Sequence, residues 1–99
     1  MNVLIEAPFK VSDVDRNMIE SKFEELTKYN ESITEASVFF KLGDGVGASY
    51  VLSEIRLRIP GKDLFAKEAD QTSNEAFVKA WNQVKKQLLK RKEKSQSHR

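Results

Sequence analysis

The chain of 99 residues has no cysteine, a single histidine, two prolines and four glycines. Without a thiol it can form no disulfide, no thiolate metal site and no cysteine nucleophile. His98 stands alone in a polar terminus, so neither a Ser/His/Asp triad nor a histidine metal cluster can be assembled around it. No apolar run approaches the roughly eighteen residues needed to span a bilayer. The opening MNVLIEAPFKV is interrupted by Glu6 and Pro8 and lacks a basic leader, which does not fit a secretory signal. The cytoplasm is the expected location, with no membrane partner. The glycines of GDGVG, 43 to 47, are followed by no Gly-Lys-Ser/Thr and open no helix, so they are no phosphate loop. Acid pairs such as Glu24 and Glu25 lie on an exposed helix surface and serve solvation rather than proton transfer. The expectation is a protein that is not an enzyme, with no cofactor and no small-molecule substrate.

Acid is scarce in one place only. Residues 1 to 78 hold nine basic and fourteen acidic side chains, a balance of −5, whereas residues 79 to 99 hold eight basic and one acidic, a balance of +7. Charge segregated in this way points to a polyanionic partner. A short stretch, KAWNQVKKQLLKRKEK at 79 to 94, carries seven of these cations against Glu93.

Periodicity places the elements. Val3, Ile5 and Ala7 alternate as in a half-buried strand that Pro8 ends. Ser12 offers a side-chain oxygen as N-cap, Asp13 and Asp15 bring negative charge to a first turn, and Met18, Ile19, Phe23, Leu26 and Tyr29 recur at helical spacing, so a helix is expected over 13–29. ASVFFKL at 36 to 42 reads as a second strand, leading into GDGVG as a hairpin or a disordered loop. VLSEIRLRI at 51 to 59 sends Ile55, Leu57 and Ile59 to one face and Glu54, Arg56 and Arg58 to the other, ending at a Pro60-Gly61 turn. A short fourth strand over 63–67 leads into a final helix from Ser73 to about residue 93. The result is one α+β domain, residues 1 to 94, followed by a disordered polar tail, 95 to 99. It is a two-layer sandwich of order βαβββα, with a four-stranded sheet and two helices on one face.

The last helix has two characters. Phe77, Trp81, Val84 and Leu88 form one apolar stripe, which the next turns continue with polar Arg91, Lys92 and Ser95. Burial is therefore expected to stop near Leu88, leaving a cationic end in water. At about 100° per residue, Lys79, Lys86 and Lys90 fall in one solvent-facing row, and Lys85 and Lys92 lie beside the stripe, bordering a groove with a neighbouring helix. In the first helix Lys22 likewise flanks its stripe beside Leu26 and Tyr29, whereas Lys28 points away from the core. Cations at a helix C-terminus are each worth about 0.3 to 1 kcal/mol, which accounts for one or two lysines. It does not account for seven, which repel at i, i+4 spacing unless an anion screens them.

KFEELTKY at 22 to 29, PGKDLFA at 60 to 66 and QVKKQLLKRKEK at 83 to 94, together with the order of elements, resemble the ribosome hibernation promoting factor and ribosome-associated inhibitor A family. The resemblance spans nearly the whole chain. It implies a fold akin to double-stranded RNA-binding domains, and a translation inhibitor that binds ribosomal RNA of the small subunit through basic helices and blocks the tRNA and mRNA channel. It also implies Lys22, Lys28, Lys86, Lys90 and Lys92 as RNA contacts; Lys79, Lys85 and Arg91 join them from the charge pattern. The chain departs from the family pattern at Glu6-Ala7-Pro8, at Ala76-Phe77-Val78 and at Leu89. A monomer is expected.

Three other readings use the same residues. A protein interaction module would bind an acidic partner through the basic helix and expose Leu4, Phe39 and Phe65 as one patch, while a divergent relative would take a different RNA. A membrane-surface helix would need the stripe from Phe77 to Leu88 free of the core. Phe23, Phe40, Phe77 and Trp81 are read as core, and partial shielding by long side chains is expected for Phe39 and Phe65.

Overall fold

The computed structural model describes the backbone of residues 1–45 and 48–97 and the side chains of residues 1–43 and 49–91. The hairpin tip and His98 therefore lie outside the described residues. The order is β1 (Asn2–Glu6), α1 (Asp13–Leu26), β2 (Glu35–Gly45), β3 (Ala48–Ile59), β4 (Lys62–Asp70) and α2 (Ser73–Ser97). The strands form one sheet in the order β1-β2-β3-β4, parallel between β1 and β2 and antiparallel elsewhere. This is the expected α+β sandwich.

Each boundary has a local cause. Ser12 accepts a hydrogen bond from the Asp15 amide at 3.1 Å, satisfying one of the donors that a helix start leaves unpaired. α1 stops at Leu26, three residues before the expected end, where the amides of Thr27, Lys28 and Tyr29 turn back onto the carbonyls of Glu24, Glu25 and Leu26. Thr72 caps the start of α2: the Glu75 amide donates to Thr72 Oγ1 at 3.2 Å, and that hydroxyl donates to Glu75 Oε1 at 3.1 Å. Between β3 and β4, Gly61 takes φ +80° after Pro60, a conformation open to a residue without a Cβ.

Four elements outrun their expected lengths. β2 and β3 extend through Gly43 and Tyr50 until Gly45 opposes Ala48, because a Tyr50 ring lying over Gly43 fills the space a side chain would take. β4 continues to Asp70 although Glu68, Ala69 and Asp70 carry no strand signal, since each finds a ladder partner on β3. α2 runs to Ser97, past the end expected near residue 93 and into the segment expected as a disordered tail. Its last turns hold no Gly or Pro, and Lys, Arg, Glu and Gln are good helix formers.

The core lies between the sheet and the two helices. Val38, Ile55, Leu57, Phe23, Phe77, Val84, Leu26 and Ile19 are essentially inaccessible. The Phe23 and Phe77 rings meet edge to face at 5.4 Å, joining α1 to α2. Phe40 and Trp81 are also buried, as expected. Ala76 and Ala80, which the apolar stripe did not include, are fully buried too, on the flank of α2 where a small side chain permits close approach to the sheet. The other face of the sheet is bare. On it Phe39 is half-buried, while Leu4 and Phe65 are 43% and 55% exposed, so the shielding expected for both aromatics holds for Phe39 and not for Phe65.

Candidate nucleic-acid interface

The two helices lie side by side and run in the same direction. Asn74 Nδ2 donates to Asp15 Oδ1 at 3.2 Å near both helix starts. One turn pair further on, the Trp81 indole donates to the Lys22 carbonyl at 2.9 Å. Beyond the end of α1, the Lys85 ammonium stands 5.2 Å from the Tyr29 ring. The chain positions in contact advance together, which is the signature of parallel neighbours. Parallel packing also brings both helix C-termini, with their partial negative charge, to the same end of the molecule.

Trp81 is the pivot of this arrangement. Its ring is buried against the core, its Nε1 is satisfied by the α1 backbone, and the ammonium groups of Lys22 and Lys85 lie 4.4 and 5.4 Å from its centroid. Two cations thus converge on one indole ring and are attracted by its quadrupole. The expected groove between the helices is therefore present, with Lys22 and Lys85 at its border. Lys22 also approaches Glu25 at 3.9 Å, a long and half-exposed pair of small worth.

The solvent-facing row is less uniform than its spacing implied. Lys86 and Lys90 are exposed and make no ion pair among the described residues. Lys79 is exposed as well, but its ammonium sits 2.9 Å from Asp70. Hydrogen bonding and attraction between the two hold the Asp70 carboxyl below its ordinary value and push the Lys79 ammonium above its own. The row as a free cationic surface thus begins at Lys86. Helical spacing could not reveal this, because Asp70 arrives across the β4 to α2 turn.

Lys28 is exposed in the turn after α1, and Arg91 is exposed on α2 where the apolar stripe has ended. Leu88 is the last buried residue of the described part of α2, as expected. The Lys92 side chain lies outside the described residues. Lys22, Lys28, Lys85, Lys86, Lys90 and Arg91 consequently belong to the helical layer and its C-terminal end, and the sheet supplies none of them. Because Phe77, Trp81, Val84 and Leu88 are all buried, the stripe is unavailable to a membrane surface, and no described helix is long and apolar enough to cross one.

Sequence spacing did not find Gln87. Its Nε2 donates to the Phe65 carbonyl at 2.6 Å, tying α2 to the rim of β4.

These features define a small two-layer α+β domain with parallel paired helices, the second prolonged as a cationic rod. The chain belongs to the family described as sigma 54 modulation protein / S30EA ribosomal protein, whose sequence model matches residues 7–96. That membership bears out the resemblance drawn from the three sequence strings. Among solved structures, a ribosomal subunit interface protein from Coxiella burnetii is similar at a TM-score of 0.80 and 15% identity, with 93% of this chain and 98% of that one covered. The protein Y N-terminal domain of Thermus thermophilus is similar at a TM-score of 0.74 and 24% identity, with 89% and 96% covered. At these identities the likeness establishes the shared fold. No curated protein matches the sequence.

Proposed function

We propose that this protein is a ribosome-associated modulation factor that binds small-subunit ribosomal RNA through the cationic side of α1 and α2 and obstructs the tRNA and mRNA channel. The observation that carries the reading is the build of α2. Its Phe77 to Leu88 stripe is anchored in the core, while Lys86, Lys90 and Arg91 face outward and Lys85 borders the interhelical groove, none with a carboxylate partner among the described residues. Family membership supplies the ribosomal context, and the Coxiella neighbour is itself described as a ribosomal subunit interface protein.

Lysine ammonium groups grip phosphate as point charges, so such a surface follows the shape and charge of an RNA backbone rather than its sequence. Occupying the channel requires no chemistry, only an affinity sufficient to exclude the normal ligands. The rival protein-module reading needs Leu4, Phe39 and Phe65 to be contiguous. Phe39 is opposite Glu54, and Phe65 is opposite Arg56, so charged side chains of β3 divide them.

The test is sedimentation of purified small subunits with wild-type protein and with the Lys85→Glu/Lys86→Glu/Lys90→Glu variant across a salt series. Loss of co-sedimentation by the variant is expected, with the log-log salt slope reduced by about 0.7 to 0.9 for each phosphate contact removed. Equal binding by a correctly folded variant would remove the rod from the mechanism.

A further inference from the structure

β4 carries a feature independent of ribosome binding. The register fixes which way its backbone points. Asn2 donates to the Thr34 carbonyl and β1 pairs with β2, so alternation turns the peptide groups of Glu35 and Ser37 toward β3, and those of Asp63 and Phe65, across β3, away from the sheet. The bond from Gln87 to the Phe65 carbonyl says the same. The outer rim of β4 thus presents the N–H and C=O groups of Asp63, Phe65 and Lys67 to whatever lies beside it.

The side chains on this rim are complementary to themselves. If a second β4 is laid antiparallel about Phe65, Asp63 of each copy stands opposite Lys67 of the other, and Phe65 meets Phe65. Opposite charges and paired aromatics are favourable cross-strand neighbours. The side chains of Asp63, Phe65 and Lys67 all lie on the bare face of the sheet, where Phe65 is 55% exposed. Arg56 and Arg58, at 3.3 and 3.8 Å from Asp63, hold its carboxylate in place on that face.

A long, uncovered strand edge invites pairing, and folded proteins commonly guard such edges. Here the guard is Gln87. Among the described residues its bond is the one that any side chain makes to the outer rim of β4, and it falls on Phe65, the centre of the self-complementary segment. We propose that β4 is a latent homodimer seam: two copies join edge to edge as a continuous eight-stranded sheet centred on Phe65, and the Gln87 side chain competes for the central carbonyl. Rotation of one side chain opens the seam, leaving the core unchanged.

The test is sedimentation equilibrium of the full chain over a wide concentration range, comparing wild type with three variants. Gln87→Ala removes the competitor at both symmetric positions and should tighten self-association by about five- to a hundredfold. Lys67→Asp and Asp63→Lys each place like charges opposite one another across the seam, so each alone should associate less than wild type. Mixed, they should form a heterodimer, because every facing pair is again of opposite sign. Since Asp63→Lys also frees Arg56 and Arg58, folding is checked by circular dichroism. An independent readout is amide hydrogen exchange in Gln87→Ala, where the Phe65 and Lys67 amides should become protected as concentration rises. Association no tighter in Gln87→Ala than in wild type, a folded mixture without heterodimer, or rim amides that exchange freely at every concentration would each overturn the proposal.

Discussion

α1 and α2 lie parallel on one sheet, yet they are built for different ends. The first covers the sheet with Ile19, Phe23 and Leu26 and stops as soon as Leu26 is buried. The second covers it with Ala76, Phe77, Ala80, Trp81, Val84 and Leu88, then continues to Ser97. In α1 the exposed side carries Glu20 and Glu24, whereas in α2 it carries Lys86 and Lys90. One helix is therefore finished by the core it serves, and the other is prolonged past it. What continues beyond Leu88 is supported by helix propensity and backbone hydrogen bonding, and of its described side chains Lys90 and Arg91 are exposed and available for something other than folding.

The largest way to break that contrast is to remove the residue on which both helices turn. Trp81→Ala deletes a buried ring and leaves the Lys22 carbonyl without its donor, so a loss of about 3 to 5 kcal/mol is expected in urea denaturation. A variant as stable as wild type would mean that the helices dock independently of the indole. Next in size are the caps. Ser12→Ala and Thr72→Ala should each cost about 1 kcal/mol, and because the two helix starts are separate in sequence and capped by different groups, the effects should add. Marked non-additivity would show that the junction of Asp15 with Asn74 makes the two starts one unit.

A smaller effect sharpens the distinction between anchored and projecting turns. Deleting residues 92–99 should change stability by less than about 1 kcal/mol, since Leu88 is the last buried residue of the described helix, while the affinity for small subunits should fall. Equal affinity would confine the interface to the anchored turns. The smallest effect concerns Asp70 and Lys79. Their pair contributes stability above the ordinary carboxylate value near 3.8, and this is lost as pH falls through the lowered Asp70 value; at the alkaline end it is lost as pH rises through the raised Lys79 value, above 10.5. Lys79→Met should therefore move the Asp70 titration, followed by carboxyl carbon NMR, upward toward 3.8. An unmoved midpoint would leave the Gln71 amide, 2.7 Å from that carboxylate, as the cause.

Local signals carried most of the architecture. The alternation from Ile55 to Ile59, the Ser12 cap and the Phe77 to Leu88 stripe are one-dimensional patterns, and each reached its place in the fold. The parallel side-by-side packing of the helices did not show, because Asp15 with Asn74 and Lys22 with Trp81 are both pairs separated by 59 positions. The spacing that puts Lys79 in a solvent-facing row is silent on its ion pair for the same reason: its partner Asp70 belongs to another element. Ala76 and Ala80 carry too little hydrophobic signal to mark a buried flank, although Ala is the residue that lets a helix approach a sheet closely. Gln87 was visible as part of a family string, yet its role required knowing which carbonyls β4 leaves unpaired.

The parallel pairing of β1 with β2 has a kinetic consequence. β3 and β4 are joined by a two-residue turn at Pro60 and Gly61, so their ladder can zip from a local start. Asn2 must instead find Glu35 across the whole of α1, and closing that larger loop raises the entropic barrier, by about 0.6 kcal/mol for every doubling of loop length. The segment nearest the amino terminus is thus expected to be the last to dock during refolding, and pulse-labelled amides of Leu4 and Glu6, which face β2, should gain protection after those of Ile55 and Leu57.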